Sequence, residues 1–291
     1  MDEKIAVLTD TNSGINPDQA ARYGIHLVSM PVIIDDETYF ENETYFENES
    51  IFQDEFFQRL REGACVSTSQ PAPGALMDCW EGLLRRYDEI IYLPMSSGLS
   101  GSFQTAAMLA EEYDGSVHVV DNHRISVTLR QSLLEAKHLA SQGKTAQEIA
   151  AYLEQDGLEA SIYVAVNTLE YLKKSGRVTA AGAAVGTILN IKPVLQIQGG
   201  KLDAYKRARG MHQAMQMMND GLKYDQAHRF AGKKMVIRAA YSGDAEAGAI
   251  WQAELQTAFP GMSIGLDPLP ISISCHTGDG ALGVGMMKDI L

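Results

Sequence analysis

Three short turns in this 291-residue chain concentrate uncharged hydrogen-bond donors: Ser67-Thr68-Ser69-Gln70-Pro71, Ser96-Ser97-Gly98-Leu99-Ser100-Gly101-Ser102 and His276-Thr277-Gly278-Asp279-Gly280. The middle turn follows an apolar run, Glu89 to Met95, and precedes an alanine-rich helical segment, Phe103 to Glu112. The first N–H groups of a helix have no partner within it, and the helix dipole is positive there. Hydroxyls and glycines at such a point make a seat for an anion. The same residues can also be plain caps, and Thr68 and Ser69 fit that role before a helix starting at Pro73 equally well. His276 follows the alternating run Ile271–Cys275, which reads as a strand, and the glycines after it let backbone approach a ligand closely. A histidine there can donate to an anion or hold a proton, although a lone histidine is more often structural.

Catalytic and metal motifs are missing. Gly98-Leu99-Ser100-Gly101-Ser102 has its glycines misplaced for a nucleophile elbow. No Gly-Lys-Ser/Thr follows a glycine run, and Gly278-Asp279-Gly280-Ala281-Leu282-Gly283 comes too late for a dinucleotide fingerprint. No cysteine or histidine stands at metal spacing from His276, so neither a metal nor another cofactor is expected. Donors without a nucleophile–base pair suit binding better than turnover. The alternative is a serine-dependent acyl hydrolase or transferase, with Ser97 or Ser100 as nucleophile and the same donors as its oxyanion hole.

The elements that must position these turns alternate between strand-length apolar runs and helix-period segments. Ile5–Leu8, Ile25–Leu27, Pro31–Ile34, Glu89–Leu93 and Ser116–Val120 read as strands. Helices are expected from Pro17, over Ser50–Arg61 with Ser50 as cap, and over Pro73–Arg86, Arg124–Ser141 and Thr145–Gln155. This rhythm predicts a parallel α/β sheet with ligands at the carboxyl ends of its strands. The second half has strands at Ser161–Val166, Lys192–Gln196, Leu202–Tyr205, Lys234–Tyr241, Ser263–Leu266 and Leu269–Ser274. Its helices are expected over Asn167–Lys174, Ala180–Leu189, His212–Leu222 and Ala245–Phe259. The division falls near residue 158, giving domains 1–158 and 159–291. A hexapeptide repeats in tandem, Thr38-Tyr39-Phe40-Glu41-Asn42-Glu43 and then 44–49, and reads as a duplication in an acidic surface loop.

Bulk composition narrows the partners. Apolar residues are 45% and charged residues 21%, ordinary for a folded globular chain. A net charge of −13 disfavours nucleic acid and anionic lipid surfaces. No apolar run approaches 18 residues and no basic leader precedes one, so stable membrane insertion is not expected. Three scattered cysteines, Cys65, Cys79 and Cys275, read as reduced thiols in a cytoplasmic protein.

Several signatures in order resemble the DegV family over essentially the whole chain. They are Asp10-Thr11, Thr68-Ser69-Gln70-Pro71, Ser96-Ser97-Gly98-Leu99-Ser100-Gly101, Val120-Asp121, Leu172 to Arg177, Ile191 to Val194 and His276 to Ala281. The resemblance implies a two-domain α/β fold, with a parallel-sheet α/β/α domain first and a second α/β domain completing a ligand site between them. It implies a long-chain fatty acid as ligand, with no catalysis by the chain itself. The partner implied is a fatty acid kinase, which makes the acyl phosphate used in phospholipid synthesis. By the resemblance the carboxylate meets Thr68, Ser69, a serine of the second turn (Ser97 favoured, with Ser100 close behind), His276 and Thr277. Asp10, Thr11, Gly98, Gly182, Gly186 and Gly278 would line the tunnel or its mouth, and Arg177, Arg207 and Arg209 would dock the kinase. About 15 methylenes at ~0.8 kcal/mol each would supply roughly 12 kcal/mol before binding costs. Thr128 and Arg130 stand where the family has glycines, which would shorten or redirect the tunnel. Ser175 replaces a glycine before Gly176-Arg177. Asp279 replaces a proline, and its carboxylate would repel the head group.

Overall fold

The computed structural model describes residues 4–41, 50–184, 191–198 and 200–291. In chain order the first half runs β1 (Ile5–Asp10), α1 (Pro17–Tyr23), β2 (Ile25–Val28), β3 (Pro31–Ile34), β4 (Glu37–Glu41), β5 (Ser50–Ile51) and α2 (Gln53–Arg61). It continues with β6 (Val66–Thr68), α3 (Pro73–Leu84), β7 (Glu89–Leu93), α4 (Ser102–Ala110), β8 (Val117–Val119), α5 (Ser126–Ser141) and α6 (Ala146–Asp156). The second half holds β9 (Ala160–Ala165), α7 (Glu170–Ser175), α8 (Ala180–Ala184), β10 (Lys192–Ile197), β11 (Leu202–Ala208) and α9 (Met211–His228). It ends with β12 (Met235–Tyr241), α10 (Ala245–Ala258), β13 (Gly265–Pro268), α11 (Ile271–Thr277) and β14 (Leu282–Lys288).

The first sheet, ordered β2-β1-β7-β8, is parallel throughout. Its central strands are buried on both faces, as the apolar runs require. Val7, Ile91 and Leu93 face α5 and α6 through Leu129, Leu133 and Ile149. Ala6, Leu8, Ile90 and Tyr92 face α3 and α4 through Leu76, Trp80 and Leu109. The result is the expected α/β/α sandwich.

A smaller mixed sheet, β5-β4-β3-β6, branches from it. Asp35 and Asp36 join β3 to β4 with φ of 50° and 69°, the left-handed pair that a two-residue hairpin requires. Ser50 is not a helix cap: it pairs with Phe40, and Phe52 precedes α2 without a side-chain cap bond. Of the tandem repeat, Thr38–Glu41 lie in β4 and residues 42–49 fall outside the described residues.

The third sheet, β11-β10-β9-β14-β12-β13, is antiparallel except for the β12–β13 pair. One face packs on α9 and α10 through Met218, Leu222, Trp251 and Leu255. The other face turns Val164, Leu195, Ile197 and Ala240 toward Met30, Met95, Leu99, Ile125 and Val127 of the first lobe.

One expected strand is a helix. Ile271–Cys275 belongs to α11, which starts after Pro270 and ends before Gly278, whose φ is 74°. Ile271 and Cys275, one turn apart, bury against Phe56, Phe57 and Val66 beside the small sheet. Of the small-residue helix expected at Ala180–Leu189, 180–184 are helical and the rest lies outside the described residues.

Candidate functional site

The turns converge where the two lobes face each other. β6 ends at Thr68, and α11 carries His276 to meet it: Thr68 Oγ1 and His276 Nε2 are 2.8 Å apart. They line a chamber of about 60 Å³ together with Asn12, Ser69, Gln70, Ser100, Arg177, Ser272 and Thr277. Its apolar wall is Met30, Met95, Leu99, Ile125, Leu172, Leu202 and Ile273. A second chamber of about 70 Å³ shares Leu99, Ile125, Leu202, Ile273 and Thr277 with the first and continues under the third sheet. Its lining is almost wholly apolar, including Val127, Ile162, Val164, Ile197, Ala240 and Val284. In β14, Leu282 and Met286 pack toward α9 and α10, while Gly283 lines this chamber beside Val284, which also joins the outer core. The alternation thereby removes side-chain volume on the inner side. Each chamber holds roughly two water molecules' worth of space, far below the 300 Å³ or more of typical ligand sites.

Burial lowers the His276 pKa to about 4, and the Arg177 charge adds to the effect. The imidazole is neutral at physiological pH, and its Nδ1 is buried without a partner. With the proton on Nε2, the ring donates to Thr68 Oγ1 and leaves the threonine O–H to donate onward. An uncharged relay of this kind can hold an anionic oxygen.

The structure divides the two candidate serines. Ser100 lines the first chamber, with its hydroxyl 2.8 Å from Ser102 Oγ. Ser97 does not line it and gives its backbone N–H to Asp121 Oδ1 at 3.3 Å. Ser69 is exposed at the rim, its hydroxyl donating to the Gln70 carbonyl at 2.9 Å. Thr277 is buried and lines both chambers, its hydroxyl donating to the Ile273 carbonyl at 3.4 Å.

The residues expected at the tunnel or its mouth mostly organise the walls instead. Asp10 is buried behind the turn and accepts the Asn12 and Met95 N–H groups, both at 3.0 Å; burial raises its pKa to about 6. Thr11 accepts the Met30 N–H at 3.1 Å and lines a separate cleft of about 440 Å³. Gly98 abuts Gly200 of the other lobe so closely that a Cβ would fall 2.1 Å from its carbonyl oxygen. Gly182 packs on Val178, Gly278 packs on the Tyr171 ring, and Gly186 lies outside the described residues.

Arg177 lines the first chamber and an adjoining cleft of about 240 Å³ that also holds Lys174, Thr68 and His276. Arg207 and Arg209 are exposed at and just after β11, the edge of the third sheet, and line neither chamber.

The departures from the family pattern have other work than was expected of them. Thr128 donates to the Ile125 carbonyl at 2.8 Å, and Arg130 pairs with Asp267 of the second lobe at 2.8 Å. Neither lines the chambers, so neither narrows them. Asp279 pairs with Arg61 at 3.0 Å and does not line the head chamber, so its charge is engaged elsewhere. Sequence reasoning missed Asn12, Gln70 and Ser272, although each sits beside or within a stretch already singled out.

Fold and site together define a class: a two-lobed α/β protein whose interface encloses largely apolar chambers headed by hydroxyls, a neutral histidine and Arg177. The chain belongs to the DegV family, whose model, described as "Uncharacterised protein, DegV family", matches residues 4–289. It is 30% identical over 284 residues to a DegV domain-containing protein of Deinococcus radiodurans, covering 97% of this chain and 98% of that one. A DegV family protein from Thermus thermophilus, described for its fatty acid binding, superposes with a TM-score of 0.87 at 31% identity, covering 98% of this chain and 100% of that one. Bacillus subtilis DegV, described as a fatty acid binding protein, superposes at 0.85 with 26% identity, covering 99% and 100%. No described helix is long and apolar enough to cross a membrane.

Proposed function

We propose that this chain binds a long-chain fatty acid, its carboxylate held by Thr68, Ser100 and His276 with Ser69 and Thr277 alongside. The observation that carries the reading is the neutral Thr68–His276 couple at 2.8 Å, at the head of an apolar chamber between the lobes. Fatty acid binding in relatives above 25% identity supports it. Uncharged donors keep the carboxylate ionised through charge-assisted hydrogen bonds. The methylenes, at ~0.8 kcal/mol each, supply the affinity. The bound acid is the ligand, and no cofactor is called for.

The chain acts as a carrier in the cytoplasm, presenting the acid to a fatty acid kinase for acyl-phosphate formation in phospholipid synthesis. Arg177, which lines both the head chamber and the basic cleft, would meet the kinase, with Arg207 and Arg209 as outlying contacts. Among the described residues, His276 Nδ1 has no orienting carboxylate, which weighs against a histidine-activated Ser97 or Ser100 as a hydrolase nucleophile.

Extraction and mass spectrometry of the purified protein should release fatty acid near one equivalent. Protein that carries none and takes up neither palmitate nor oleate would refute the reading. A fluorophosphonate probe should leave the serines unlabelled, and labelling of Ser100 would favour the hydrolase.

A further inference from the structure

Among the described residues, two that line the head chamber carry a buried side-chain nitrogen without a hydrogen-bond partner: His276 Nδ1 and Asn12 Nδ2. Asn12 is only 1% exposed and lies in the short helical turn after β1. Its carboxamide is held from one side, because the Ser272 hydroxyl donates to Asn12 Oδ1 at 2.8 Å. The Asp10 carboxyl interacts with the amide closely enough to offset part of the rise that burial gives that acid's pKa, but no hydrogen bond of acceptable geometry joins them. Turning the amide over would bring Oδ1 toward that acid, so the orientation with Nδ2 as donor is the favoured one.

Ser272 and His276 are four residues apart on α11 and both line the chamber. That spacing stacks them on one helix face. Two couples therefore stand side by side across the lobe interface: Asn12 with Ser272, and Thr68 with His276. A buried N–H without an acceptor is a penalty that a carboxylate oxygen removes.

We propose that Asn12 Nδ2 is a further head-group donor, taking the carboxylate oxygen that Thr68 does not hold, with Ser272 as the residue that positions the amide. The inference rests on the fatty-acid reading above. It makes the site selective for a free acid, because a carboxylate can use both couples and an ester cannot present a charge to them.

The test is a titration of the wild type, Asn12→Leu and Ser272→Ala with palmitic acid and with its methyl ester. Asn12→Leu keeps the shape and should weaken acid binding roughly 10- to 100-fold, the loss of a hydrogen bond to a charged group, while ester binding stays unchanged. Ser272→Ala should weaken acid binding in the same direction by less. Should Asn12→Leu fail to fold, the side-chain amide signals of Asn12 in the ¹⁵N-labelled wild type serve instead. They should shift on adding palmitate and not on adding the ester. Equal acid affinity in Asn12→Leu, an equal loss for acid and ester, or unmoved amide signals would overturn the assignment to Asn12 alone. A wild type that binds no palmitate would instead bring down the fatty-acid reading, and this inference with it.

Discussion

Thr68 is the side chain on which the proposed head-group site depends most directly, since its hydroxyl lies 2.8 Å from a neutral histidine at the head of the chamber. Thr68→Val preserves shape and removes the hydroxyl. It should lower palmitate affinity roughly tenfold or more, as expected for a lost hydrogen bond to a charged group. Isothermal titration would read this, with the folded state checked by its melting curve. His276 supplies a second measurable at this scale. Burial holds its pKa near 4 against an ordinary 6.5, so the fold binds fewer protons than the unfolded chain between those values. The stability His276 contributes is complete above pH 6.5 and is lost as pH falls toward 4. Asp10, Glu41 and Glu135 act with the opposite sign: burial raises them to about 6, 7 and 7, so their contribution is present at low pH and fades as pH rises through those values. The wild-type curve therefore mixes both. The difference between wild type and His276→Gln isolates the imidazole and should shrink by more than 1 kcal/mol from pH 7 to pH 4, measured by denaturant unfolding. A constant difference would mean the ring titrates normally.

Two elements decide whether the chambers exist, and they differ in how legible they are. The parallel sheet is plain in the sequence because Ile5–Leu8 and Ile90–Leu93 are buried on both faces and read as unbroken apolar runs. α11 is not. Ile271-Ser272-Ile273-Ser274-Cys275 alternates as a strand would, yet Ile271 and Cys275 are both anchored in a pocket of phenylalanines from α2. Tertiary burial at a spacing of four overrides the local preference. The misreading also hid Ser272, which a helix stacks on His276 and a strand would place farther off. The choice between Ser97 and Ser100 was likewise invisible, because it depends on how the turn bends after Ser96 accepts the Leu99 and Ser100 N–H groups. β14 escaped because its alternation runs between large residues and glycines. That pattern yields a prediction: a Cβ at Gly283 meets only ordinary contacts, at 3.7 to 3.9 Å, so Gly283→Leu should fold while its side chain fills the apolar chamber. Binding of a 16-carbon acid should fall at least tenfold and a short acid should suffer less, as a displacement assay with acids of graded length would report. An unchanged length profile would place the tail elsewhere.

At the scale of the whole molecule, the lobes are joined by contacts away from the proposed head-group site as well as by contacts within it. The first kind includes the buried Arg130–Asp267 pair at 2.8 Å, with Arg238 reaching the same carboxylate at 2.6 Å, and the close approach of Gly98 to Gly200. The second kind is the pair of couples along α11. On the proposed reading a fatty acid would add to the second kind, stabilising the fold through mass action by about 2.7 kcal/mol at a concentration a hundredfold above its Kd. Asp267→Asn leaves the Arg130 guanidinium buried without its carboxylate and should cost about 3 kcal/mol in the ligand-free protein. Asp267 lines neither chamber, so the increment gained from palmitate should persist in that variant. Thr68→Val should behave in reverse, with near-normal stability alone and a reduced increment from palmitate. Denaturant unfolding of wild type and both variants, with and without the acid, separates the two kinds of contact. If Asp267→Asn abolished the palmitate increment while remaining folded, the lobes would be holding the ligand through their mutual closure and not through the donors on α11.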